Sequence, residues 1–353
     1  MGRQKDLPTG EGVELQKDRI TATFNGRSKT ALPELALALL TRQQVDWPLL
    51  HAGYAALDMR QERRLEAGGL AVVLQCNPRR IVSTKADIDP AAIKARPCFL
   101  CHANLPVSQQ AIVYRRHFLV LCNPFPIVAR HFTIAHREHR PQSLHGVLPT
   151  FLQLARDFQP DYALLYNGPQ SGASAPDHLH FQALPWASMP VLNEGGESIT
   201  TLWAKNGVSL GKKIDGARTA WLVEGTDAQE IIAFLRELIR AMQRLQSPPP
   251  EPRAGFQPSA PLQNSEPMLN LFCRYAEGRW RILIFPRRKH RPASYYRSGA
   301  EQIMVSPGAV DMGGVLVLPR EEDYHRLDAA LLVQIFQEIS LGEEMMDEIV
   351  AVL

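Results

Sequence analysis

The sequence predicts an α+β fold with a mainly antiparallel sheet. Short strands follow one another in hairpin-like succession, and the helices are set apart from them rather than alternating strand by strand. A chain of 353 residues, 45% hydrophobic and 21% charged, has the ordinary composition and ample interior of one large domain or two smaller ones.

Residues 1–30 are mixed and polar. A short apolar helix is expected over 32–40, and a second helical stretch runs from 43–50 into 54–59. A strand is expected over 70–75, ending at Asn77 and Pro78, and a helical turn over 91–95 stops before Pro97. Residues 111–114, 118–122 and 132–135 read as three strands, rich in β-branched and aromatic side chains and separated by turns. Residues 144–158 read as a helix that restarts at Pro149, and 162–166 as a further strand. The run NGPQSGASAP over 167–176 is too rich in Gly, Ser and Pro for anything but a loop, and a strand over 178–184 follows it.

After an irregular middle, residues 226–245 form an amphipathic helix. Thr226 with Gln229 supplies an expected capping box, and Ile231, Phe234, Leu235, Leu238, Met242 and Leu245 its apolar stripe. Residues 268–275 and 280–285 flank an Ala-Glu-Gly turn as a hairpin, 315–318 is a strand, and helices over 328–339 and 343–353 close the chain. This divides the chain into an N-terminal extension of unassigned role (1–90), a catalytic half (91–246), a Pro-rich linker (247–262) and a second strand-rich half (263–353).

A net charge of +3 with only brief basic clusters gives no case for a nucleic-acid partner. No apolar run is long enough to span a bilayer, and residues 1–10 lack a secretory signal. Five cysteines in no scaffold pattern fit a reducing compartment, so a cytoplasmic location is expected.

The chemistry concentrates in Asp177-His178-Leu179-His180-Phe181-Gln182. On a strand, His178, His180 and Gln182 share one face, while Leu179 and Phe181 take the other. A glycine- and serine-rich loop directly before them offers backbone N–H groups for an anion. Imidazole is largely uncharged near neutral pH and is a good nucleophile toward phosphorus, provided a carbonyl fixes its tautomer. The plainer alternative is the polar side of a half-exposed strand.

The run over 166–185, YNGPQSGASAPDHLHFQALP, resembles the active-site segment of the histidine-triad superfamily. The closer match is the transferase and phosphorylase branch, which carries His-x-His-x-Gln: galactose-1-phosphate uridylyltransferase, diadenosine tetraphosphate phosphorylase and the GDP-hexose phosphorylases. The resemblance implies a histidine-triad-like antiparallel sheet with two related halves, although no internal repeat is visible in the sequence. It implies His180 as the nucleophile forming a nucleotidyl-histidine, Gln182 as a hydrogen-bonding partner of the phosphoryl oxygens, and Asn167, Gly172 and Ser174 as phosphate contacts. Asn123 to Ile127 is similar to a segment that helps form the nucleotide pocket, giving Asn123 and Phe125 as candidates, and 299–324 looks like the C-terminal part of the GDP-hexose phosphorylases. Arg130, Arg287 and Lys289 are candidate assisting cations by residue type alone.

Cys98 and Cys101 form a Cys-x-x-Cys, a spacing that lets two thiolates grip one tetrahedral zinc. His102, His117, His131, His136, His139, His145 and His178 are all within reach by sequence, and composition does not choose among them. Buried thiols or a redox pair are the alternatives. Bacterial-type uridylyltransferases hold a structural metal with two cysteines, a histidine before a helix and the first histidine of the pair, which by position implies Cys98, Cys101, His139 and His178. Cys76, Cys122 and Cys273 are expected in the core.

The function implied by the resemblance is nucleotidyl transfer, foremost phosphorolysis of a nucleotide-sugar, with GDP-hexose favoured by the C-terminal similarity. The partners are then a nucleotide or nucleotide-sugar with inorganic phosphate or a sugar 1-phosphate. A hexose-1-phosphate nucleotidyltransferase, a diadenosine polyphosphate phosphorylase and a non-catalytic zinc-stabilised nucleotide-binding protein are the alternatives.

Overall fold

The computed structural model describes residues 17–85, 90–193, 199–246 and 266–353; the Pro-rich segment 247–262 lies outside them. The strands in chain order are β1 (Ile20–Phe24), β2 (Gln61–Ala67), β3 (Leu70–Cys76), β4 (Ala111–Tyr114), β5 (Phe118–Cys122), β6 (Phe132–His136), β7 (Tyr162–Asn167), β8 (His180–Pro185), β9 (Ile199–Lys205), β10 (Val208–Asp215), β11 (Arg218–Gly225), β12 (Leu269–Ala276), β13 (Arg279–Pro286) and β14 (Val315–Leu318). Among the described residues an 11-stranded sheet runs β1-β4-β5-β6-β8-β7-β12-β13-β11-β10-β9, and a small sheet runs β14-β3-β2. Pairing is antiparallel except at β1·β4 and β14·β3.

The large sheet contains an internal repeat. Strands β4, β5 and β6 form a meander, the helix Leu148–Asp157 follows, and β7 and β8 complete the half in the order β4-β5-β6-β8-β7. Strands β9, β10 and β11, the helix Ala228–Leu245, and β12 and β13 repeat that plan in the order β9-β10-β11-β13-β12. The halves join where β7 pairs antiparallel with β12, Asn167 opposite Asn270.

The meander β9-β10-β11 corrects the irregular middle expected from sequence. Its turns are Asn206-Gly207 and Gly216-Ala217, with φ of 52°, 74° and 57° at Asn206, Gly207 and Gly216, as tight hairpins require. The capping box is also corrected. Asp227, not Thr226, caps the helix Ala228–Leu245, its carboxylate accepting from the Gln229 and Glu230 N–H groups. The helix expected over 144–158 begins only at Leu148, with Pro149 in its first turn.

Both faces of the large sheet are covered. One face packs Tyr114, Phe118, Ile134, Phe181 and Ala183 beneath the helices Leu32–Asp46, Leu148–Asp157 and Ala228–Leu245. The opposite face is divided. Leu119, Leu121 and Ala135 pack with Cys98, Leu100 and Leu105, whereas Ala163, Leu165 and Leu184 pack with β3, β14 and the helix Ala329–Ile339. The candidate site residues lie between those two clusters. Cys76, Cys122 and Cys273 are buried, as expected.

Candidate active site

His180 opens β8, the alternation placing it and Gln182 on the divided face and Phe181 on the other. The strand begins two residues later than expected, because His178 sits in the bend before it, tied by its N–H to Ala175 O. His180 is 5% exposed, and its Nδ1 lies 2.8 Å from His178 O. That carbonyl can only accept, so Nδ1 carries the proton and Nε2 the lone pair. Burial lowers the pKa of the imidazole and keeps it neutral.

Gln142 holds the backbone of His180. Its Oε1 accepts from His180 N–H at 2.8 Å, and its Nε2 donates to His180 O at 3.0 Å and Asn167 O at 2.9 Å. Gln182 is held in turn by His131, whose Nε2 lies 2.6 Å from Gln182 Oε1 while its Nδ1 accepts from Ile127 N–H. Burial pushes the His131 pKa down to about 4, so the ring is neutral with one proton. Nε2–H therefore donates to Oε1, which leaves the Gln182 NH2 as the group that can donate to phosphoryl oxygen.

Two cavities meet at Gln182 and Ser174. The larger is an apolar cleft of about 500 Å³, a size suited to a nucleoside, walled by Trp47, Leu49, Phe99, Leu121 and Phe125 with His180 on its floor. Asn123 lines it and accepts from the Phe125 N–H to shape the loop. Arg80 Nη1 braces the same loop through Phe125 O. The N-terminal stretch thus supplies both wall and brace.

The smaller cavity is polar, and Asn167, Gly172 and Ser174 line it. Asn167 Oδ1 accepts from Asn270 Nδ2 at 2.8 Å and from Ala309 N–H at 2.7 Å, fixing the loop to the second half of the chain. Gly172 has φ of 93°, and a Cβ there would meet Gly308 Cα at 2.5 Å. Only glycine suits that position.

The structure brings Cys98, Cys101, His139 and His178 together, their ligand atoms within 4.8 Å of one another. Cys98 Sγ and Cys101 Sγ lie 3.3 and 3.5 Å from His178 Nδ1, and Cys101 Sγ lies 3.2 Å from His139 Nδ1. Tetrahedral zinc with bonds of about 2.3 Å to sulfur and about 2.0 Å to nitrogen sets such atoms about 3.5 Å apart, so the donor set fits. His178 Nε2 lies 2.7 Å from His136 O, the outer hydrogen bond that metal-binding imidazoles typically make. Burial, with Cys98 alongside, pushes the Cys101 thiol up to about 12, so a cation is needed to hold that sulfur as a thiolate.

The three proposed assisting cations lie elsewhere. Arg287 is buried against carbonyl groups and Asn270, Lys289 pairs with Glu338, and Arg130 lines neither cavity. The cations that do line the cavities are Arg80, Arg96 and Arg291. Sequence reasoning also missed Gln142 and the role of His131, since both act across the fold.

Residues 39–185 match the family model of a domain of unknown function, DUF4922, and residues 259–353 match the GDPGP1-like C-terminal domain. No protein among the curated sequences matches the chain. Among solved structures, yeast Ap4A phosphorylase Apa2 shares its fold at 13% identity and a TM-score of 0.50, over 86% of this chain and 94% of that one. Its complex with Ap4A gives the same identity and score, over 86% and 97%. The C-terminal match agrees with the resemblance of residues 299–324, and the shared fold agrees with the histidine-triad-like sheet that the resemblance implies. Among the described residues no helix is long and apolar enough to cross a membrane.

Proposed function

We propose that this chain is a nucleotide phosphorylase working through a nucleotidyl-His180 intermediate, with a GDP-hexose as the favoured substrate. The observation that carries the reading is the fixed tautomer of His180, whose Nδ1–H is spent on His178 O so that Nε2 can attack. Nε2 attacks the α-phosphorus, the bond to the β-phosphate oxygen breaks, and hexose 1-phosphate departs. Inorganic phosphate then attacks the same phosphorus, the N–P bond breaks, and the nucleoside diphosphate leaves with His180 neutral again. The positive charge on the imidazole ring of the intermediate rests against His178 O, and no proton need move at Nε2. The neutral Gln182 amide donates to the phosphoryl oxygens without acting as an acid, as suits a leaving group that is itself a weak base.

The preference for GDP-hexose rests on residues 299–324 and on the GDPGP1-like C-terminal domain. Cys98, Cys101, His139 and His178 would hold one structural zinc, which ties the bend before β8 to the segment around Cys98. That metal cluster favours a second reading, a hexose-1-phosphate nucleotidyltransferase.

Incubation with labelled nucleotide-sugars tests the proposal. Acid-labile label should appear on the protein and be absent from a His180→Asn variant, and phosphate should release it as nucleoside diphosphate. A panel of nucleotide-sugars and dinucleoside polyphosphates that yields neither label nor phosphate-dependent product would leave a non-catalytic nucleotide-binding protein as the answer.

A further inference from the structure

The polar cavity beside Gln182 is built from three distant parts of the chain. The loop around Gly172 and Ser174 forms one side, Arg80 and Thr84 a second, and His290, Arg291 and Ser306 a third. Arg291 is aimed by contacts on both sides: Nε donates to Ser306 Oγ at 2.9 Å, Nη2 donates to Thr84 O at 3.1 Å, and the guanidinium lies 4.2 Å from the Tyr295 ring centre. Ser306 Oγ lies 3.3 Å from His290 Nε2. Arg80 lines this cavity and the apolar cleft alike.

The charge is predominantly positive. Arg80 and Arg291 face the cavity, and buried Arg287 stands behind it with one guanidinium nitrogen on His290 O. Asp311, the one acid on the lining among the described residues, has its carboxylate occupied by the Gly308 and Val317 N–H groups. Burial, with Arg291 and Arg287 nearby, holds His290 neutral at a pKa of about 3, so it offers a neutral hydrogen-bonding ring rather than a third charge at the wall. The space is about 60 Å³. At about 10–15 Å³ per water, that holds four to six waters, the bulk of one tetrahedral oxyanion.

We infer that this chamber is the acceptor subsite, in which Arg80 and Arg291 hold a phosphate dianion with one oxygen facing the phosphorus on His180. The size fits one phosphate group, and because the departing and the attacking oxygens both stand opposite Nε2 across the same phosphorus, the chamber takes the phosphate group of the departing hexose 1-phosphate as well as inorganic phosphate, with the sugar outside it. The inference rests on the nucleotidyl-histidine reading. The attacking oxygen of hydrogen phosphate forms the new P–O bond, the N–P bond to His180 breaks, its electron pair returns to Nε2, and the phosphate keeps its proton in the product.

The test loads the full-length protein from p-nitrophenyl esters of nucleoside 5′-monophosphates, whose leaving group carries no phosphate. Discharge is then followed with inorganic phosphate, with glucose 1-phosphate, or in water. In Arg291→Gln and Arg80→Gln the phosphate concentration for half-maximal discharge should rise tenfold or more. Arg291→Lys should recover part of the loss, since charge returns without the forked geometry. Arg236→Gln, on an exposed helix face, should match wild type. Thermal melting checks that each variant folds, and a phosphate-induced rise in melting temperature, absent with chloride at equal ionic strength, reads the chamber directly. Unchanged phosphate dependence in both arginine variants overturns the subsite while the histidine chemistry stands, and discharge by glucose 1-phosphate that is indifferent to both variants overturns the shared phosphate site. If wild type takes no label, the histidine reading fails, and the chamber is still judged by whether the phosphate-induced shift disappears in Arg291→Gln.

Discussion

His131 Nε2 lies 2.6 Å from Gln182 Oε1, and both ring nitrogens of this buried histidine are committed, one to that oxygen and one to the Ile127 N–H. The relationship decides which end of the Gln182 amide faces the cleft. A His131→Leu variant should release the amide and leave Ile127 N–H without its partner, at about 1–3 kcal/mol. The freed Gln182 amide should separately cost about 10–100-fold in the rate of label transfer, with a smaller change in nucleotide affinity. Single-turnover labelling set beside equilibrium binding checks it; equal losses in both would show a general loss of structure.

Gln142→Met keeps the shape but removes three hydrogen bonds to the backbone of His180 and Asn167. Those buried backbone groups then lack partners, and stability should fall by about 2–5 kcal/mol. Urea unfolding with an unchanged slope would report the loss, and a variant as stable as wild type would contradict it.

Replacement of Cys98 and Cys101 by serine together should remove about one equivalent of bound zinc and lower the melting temperature well beyond an ordinary surface change. Metal analysis of the purified protein decides the matter. Wild-type protein without zinc would refute the four-ligand assignment.

Stability should fall as the medium is made acid. In the unfolded chain His131 titrates at its ordinary value near 6.5, but in the fold only at about 4. The unfolded state therefore binds more protons between these values. The contribution is fully present above about pH 6.5, erodes through the interval, and is gone below about pH 4, up to about 3 kcal/mol in all. The slope of unfolding free energy against pH should be shallower in His131→Leu. Identical slopes would rule out this histidine as the source.

The sequence made much of the half that carries His180 legible because its signals are local. Strand alternation separated Gln182 from Phe181, and the Gly- and Ser-rich loop announced itself by composition. The pairing of Cys98 and Cys101 with His139 and His178 came from resemblance alone, since seven histidines competed. Gln142, His131, Arg80 and Arg291 stayed hidden because each works on a residue far away in the chain, and no periodicity encodes that. The meander β9-β10-β11 was hidden differently. Its Asn206-Gly207 and Gly216-Ala217 turns were plain signals, but charged residues such as Lys212 and Lys213 masked the alternation of its strands.

The repeat within the large sheet is unequal at one place. In the first half, residues 168–179 separate β7 from β8 and carry the whole approach to His180. In the second, Glu277-Gly278 joins β12 to β13 directly, with φ of 52° and 77°. That turn has no space for a phosphate-cradling loop and places no histidine at the head of β13. Saturation should therefore occur at one nucleotidyl group per polypeptide and not two, so each chain counts as a single catalytic unit in any titration.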